Sequence, residues 1–193
     1  MSHQSPDTTT VVVRDALAEI TLGGVGATFS GALFWAAMAA TLLLRGLSVD
    51  ALAWSVVLGG AAVHPLGFVL NRWLGGDILA RGHPWASLIW TLGATQLLGW
   101  VTVAVLFAQA PALVPFGLAT LVGAHFLPFA WIYRSVPYAL LGATTVVGVG
   151  LMQLFWHDAA PLPIAVGMAG TMVIAGVAER NRLLRKRRQM SRA

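Results

Sequence analysis

PALVPFGLATLVGAHFLPFAWIYR, Pro111–Arg134, carries no charge until its last residue. Wound as an α-helix rising about 1.5 Å per residue, its uncharged part is long enough to cross about 30 Å of hydrocarbon. Strands of a membrane barrel alternate apolar and polar residues, and this run does not. Inside a bilayer every backbone N–H and C=O has to be paired within the protein, so the stretch predicts a spanning helix.

Five further uncharged runs repeat the pattern. Gly23–Leu44 ends at Arg45, Ala51–Leu70 before Asn71-Arg72, Ser135–Trp156 at His157-Asp158 and Pro161–Ala178 at Glu179-Arg180, and Pro84–Ala108 is the longest. The sequence therefore predicts an all-α integral membrane bundle of six transmembrane helices over 23–178, with spans at 23–44, 51–70, 84–108, 111–133, 135–156 and 161–178. A polar or interfacial segment, 1–22, precedes it, and a basic tail, 179–193, follows. Composition agrees: 58% of residues are hydrophobic and 10% charged, against about 25% charged in a soluble domain. The gaps are short, so consecutive helices should be antiparallel neighbours. The longest gap is Asn71–His83, NRWLGGDILARGH, and no second domain is visible.

Within 1–22, Val13, Ala16, Leu17 and Ile20 share one helical face, with Arg14, Asp15 and Glu19 elsewhere. Two readings remain open: an interfacial helix, or the first turns of span one.

The net charge of +5 does not point to nucleic acid, because seven of the twelve basic residues follow residue 179, beside an apolar segment. Arg185, Lys186, Arg187 and Arg188 read instead as contacts to anionic lipid headgroups. With six spans, both ends share one side with Arg14, Arg72, Arg81 and Arg134, against Arg45 alone on the other. The positive-inside rule then places both termini in the cytoplasm. Partners expected are membrane lipids and, for so small a bundle, a second copy of the chain, with no nucleic acid. Gly26 and Ser30, and Ala119 and Gly123, have the small-x-x-x-small spacing that lets helices approach closely, within one bundle or between two. The absence of cysteine excludes disulfides, thiolate nucleophiles and thiolate metal sites.

The residues with chemistry to offer lie deep in the spans. His64 and His125 head a shared frame, H-x-L-x-F, with Arg72 and Arg134 eight and nine residues on. Both histidines thus lie about 12–14 Å from the same boundary, and Gln96 in span three sits at similar depth, with Thr91 and Thr95 nearby. Polar side chains at this depth seldom face lipid. His64, Gln96 and His125 are therefore expected to form one ligand- or ion-binding cluster. The plainer alternative is that each histidine only bonds a carbonyl or a neighbouring helix. Pro65 and Pro128, beside the histidines, remove backbone donors and are expected to kink their helices.

Histidine suits proton relay or the binding of a carboxylate or phosphate. Two histidines fall short of the three protein ligands of a catalytic zinc, and no Asp or Glu lies inside a span to couple transport to protons or sodium. No metal, no catalytic residue and no cofactor is implied, although a haem held by two histidines is geometrically open. The loop residues Arg72, Asp77 and Arg81, with His83, form either a cytoplasmic anionic site or lid, or merely a charged loop. The leading expectation is binding or passage of a small solute or ion. A scaffold whose histidines are structural competes with it, and a lipid-modifying enzyme stands third.

Gly123–Tyr133, GAHFLPFAWIY, together with His64–Gly67, HPLG, and the DILARG of Asp77–Gly82, resembles a family of small uncharacterised bacterial multi-pass membrane proteins, a domain of unknown function. The likeness covers roughly residues 25–180. It implies a helical bundle in a bacterial inner membrane with His125 inside the signature, and it implies no activity.

Overall fold

A computed structural model describes residues 6–190. They form α1 (Pro6–Thr21), α2 (Val25–Arg45), α3 (Val49–Trp73), α4 (Ala86–Gln109), α5 (Val114–Ile132), α6 (Val136–Trp156) and α7 (Pro161–Met190), joined by short turns, with no strand among the described residues. Six helical segments are long and apolar enough to cross a membrane. The chain is a multi-pass membrane bundle.

α2 begins at Val25, two residues after the expected start of span one at Gly23. Leu22, Gly23 and Gly24 all have left-handed backbone, with φ of 50°, 58° and 69°, a region that glycine enters without the clash of a Cβ. The chain breaks there, so α1 is a helix of its own and not the first turns of α2. A break of this kind leaves backbone groups unpaired. Asn71 supplies partners on both sides: its amide nitrogen donates to the Thr21 carbonyl (3.0 Å) and its oxygen accepts from the Gly26 N–H (3.2 Å).

The bundle is built on close backbone approaches. α2 lies between α3 and α7. A Cβ on Gly26 would overlap the backbone of Asn71, and one on Gly67 would come within 3.0 Å of Ala27 and Ser30. The Ser30 hydroxyl donates across this contact to the Val63 carbonyl at 3.0 Å. Gly31 packs on Met172, and Gly176 on Phe29. α5 meets α6 at Gly123, where a Cβ would lie 2.7 Å from Thr145, beside the buried Ala119. Both small-x-x-x-small pairs are thus used inside the monomer.

One consecutive pair departs from the expected neighbour packing. α3 and α4, separated by the longest gap, meet through long side chains: Trp54 on Phe107 (4.6 Å between rings), His64 on Gln96 and Phe68 on Trp90 (6.4 Å). Trp90, deep in its span, is half exposed at this seam, whereas Trp35 is fully packed.

α1 is docked against one end of the bundle. Leu17, Ala18 and Thr21 are buried. Arg14 donates to the carbonyls of Trp131 and Ile132 and lies 4.4 Å from the Trp131 ring centre. Asp15 pairs with Lys186 (2.6 Å) and Arg134 (3.5 Å).

Candidate functional site

A cavity of about 180 Å3 lies among α2, α3, α4 and α5, with Tyr138 of α6 and Met172 of α7 at its back. Its walls are mainly apolar and aromatic, including Trp35, Trp100, Leu118 and Phe126. His64, Gln96 and His125, from three different helices, all line it.

The H-x-L-x-F frame explains two of these positions. Residues four apart share a helical face, and the residue between them points away. His64 and Phe68, and His125 and Phe129, accordingly line the cavity, while Leu66 and Leu127 are exposed on the outside. His125 packs on Phe129 with ring centres 4.9 Å apart.

His64 Nε2 lies 3.2 Å from Gln96 Oε1. With the ring nitrogen as donor, the Gln96 amide N–H groups have no partner among the described residues, and neither has His125. Gln96 is nevertheless buried, only 7% exposed. Thr91 and Thr95 stand apart from the cluster: both are exposed and bond to the carbonyls of Ser87 and Leu92 in their own helix. Pro65 and Pro128 sit inside α3 and α5 without ending either helix.

The loop candidates are not gathered into one anionic site. Asp77 accepts from the Leu79 N–H (3.1 Å), lies 3.7 Å from Arg81, and its own N–H donates to the Ile20 carbonyl (2.8 Å). Arg72 is exposed at the end of α3 and takes no part in this bonding among the described residues. His83 Nδ1 accepts from the Trp85 N–H (3.1 Å) while Nε2 lies 3.1 Å from the Val13 carbonyl. That pair of contacts suits the neutral tautomer protonated at Nε2 and holds α1 to the loop. In the tail, Lys186 pairs with Asp15, Arg187 donates to the Glu19 carbonyl (2.8 Å), and Arg185 and Arg188 are exposed.

Sequence reasoning missed the polar floor beneath the cavity. Glu179, read as the residue that ends span six, is completely buried. It accepts from Ser135 Oγ (2.6 Å) and from Arg182 (2.5 and 2.9 Å). Ser135 also caps α6 by accepting from the Tyr138 N–H (3.2 Å). The Tyr138 hydroxyl donates to the Gly23 carbonyl (2.8 Å) and lies 3.1 Å from the Thr28 hydroxyl. Arg182 reaches the Tyr133 carbonyl at 2.9 Å. The available signal was the Glu179–Arg182 spacing, which puts the two on one helical face.

No curated protein and no solved structure matches the chain. A family model does, over residues 12–181, a stretch that takes in the break after α1, all three cavity residues and Glu179, and stops short of Arg182. The chain belongs to that family, the family of unknown function DUF7010.

Proposed function

We propose that this protein binds a small molecule within the membrane, using His64, Gln96 and His125 as its polar contacts. The observation that carries the reading is the Gln96 side chain, 7% exposed, which borders the cavity with amide donors left over after His64 is paired. A ligand oxygen accepting from that amide gains a hydrogen bond worth about 0.5–1.5 kcal/mol. His125 adds a second group able to donate or accept. The test is ligand-dependent thermal stability of the purified protein in detergent. Gln96→Leu and His125→Ala should keep the fold and abolish a ligand-induced rise in Tm. Variants that respond to a ligand as the wild type does would end the reading.

A scaffold role is the second reading, favoured by the His64–Gln96 bond itself, which ties α4 to α3 where their backbones stand apart. On that reading His64→Ala lowers stability and no ligand shifts the Tm. The proposed setting is a bacterial inner membrane with both termini cytoplasmic. Arg14, Arg134 and Lys186 cluster at the end where α1 docks, whereas Arg45 ends α2 at the opposite end.

A further inference from the structure

The direction from which the cavity opens identifies the class of ligand. Among its lining residues only His64, Phe68 and Trp90 are exposed. All three lie on the seam between α3 and α4. Elsewhere the lining is buried or only partly exposed: Tyr133 and Tyr138 are buried at the end where α1 docks, and Trp35 and Leu118 on the other side. The middle of the seam is kept thin by Gly93, which lines the cavity from α4 and whose Cβ would meet open space. His64 lies midway along a spanning helix, so this opening faces hydrocarbon and not water.

The volume limits what can enter. A cavity of about 150 Å3 holds a benzene molecule, so about 180 Å3 takes one substituted ring, and anything longer has to leave through the seam. The lining carries no Lys, Arg, Asp or Glu. A phosphate or ammonium head would lose its hydration without gaining a counter-charge, which is prohibitive in an apolar site. The unpartnered Gln96 N–H groups call for an acceptor oxygen, His125 supplies a second contact, and Phe68, Trp90 and Phe129 offer ring faces.

Building on the intramembrane binding site proposed above, we infer that its ligand is a neutral membrane-dissolved lipid with a compact carbonyl-bearing head of one-ring size, entering sideways between α3 and α4 and leaving its apolar tail in the bilayer. The head oxygen bonds Gln96 and His125; the tail runs out past Phe68 and Trp90.

The test uses the full chain in lipid nanodiscs and two probes: a decyl-substituted benzoquinone and the same quinone without its tail. Binding is measured against empty nanodiscs and expressed per lipid. Three variants are compared with the wild type: His125→Ala, Gln96→Leu, and Gly93→Phe, which places a ring in the seam. Gly93→Leu serves as a milder block, and size-exclusion profiles and Tm verify the fold of each. The decyl probe should bind, and each of the three changes should weaken it by about fivefold to tenfold, since each good polar or apolar contact is worth about 1–1.5 kcal/mol. If a probe binds through His125 and Gln96 while both Gly93 variants and the tail make no difference, the lateral lipid reading is overturned and the polar site stands. If binding of both probes ignores His125 and Gln96, or neither binds, the inference fails; the wider site reading then depends on its own ligand-stability test.

Discussion

Asn71 and Glu179 are the two residues whose surroundings differ most from what their neighbours in the sequence suggest. Each ends an apolar run, where polar residues ordinarily meet water or headgroups. Each is fully buried: Asn71 bonds backbone on both sides of the break at Leu22–Gly24, and Glu179 packs beside Gly23 and bonds Ser135 and Arg182. Apart from Arg182, these partners lie far away in the sequence, which is why the burial was not legible. His64, Gln96 and His125 were legible for the opposite reason: a polar side chain deep inside an apolar run has few options besides the bundle interior. Asn71→Leu removes a donor and an acceptor from a site water does not reach, so it should cost about 2–3 kcal/mol, read as a lower Tm in detergent. Arg182→Ala strands the buried Glu179 carboxylate with Ser135 as its remaining side-chain partner and should cost about 3 kcal/mol. Glu179→Gln in the Arg182→Ala background should recover part of that loss, because the stranded charge is gone.

At the level of whole helices, the uncharged runs made all six spans legible, since length and hydropathy alone decide whether a helix can cross. The pairing of those helices depends on contacts that hydropathy does not encode. Short gaps gave the right neighbours for most consecutive helices. They fail at α3 and α4, where the twelve-residue connection from Leu74 to Trp85 releases the pair from direct backbone packing. Glycines separate the tight contacts from the loose ones. Gly26→Ala should force α2 and α3 apart and lower Tm sharply. Gly148→Ala, where a Cβ meets nothing within 4 Å, should be neutral or stabilising by up to about 1 kcal/mol through helix propensity. A Gly26→Ala variant as well tolerated as Gly148→Ala would mean that the α2–α3 contact does not have the closeness described.

For the molecule as a whole, the proposed orientation can be tested directly, because the chain has no native cysteine. A thiol placed by Ala159→Cys, in the turn before α7, should react with a membrane-impermeant maleimide on intact cells. One placed by Gln189→Cys should react only after the cells are opened. Both positions are exposed, and the reverse pattern would invert the topology. The pairing of α2 with α7 has a consequence in time as well as in space. The first span of the chain finds one of its main packing faces on the last span to be made. While the ribosome is still short of Pro161, Phe29 and Gly31 of α2 have only lipid or a foreign helix against them. A nascent chain stalled there should be bound by membrane chaperones or degraded, and the completed α7 ends that vulnerable interval.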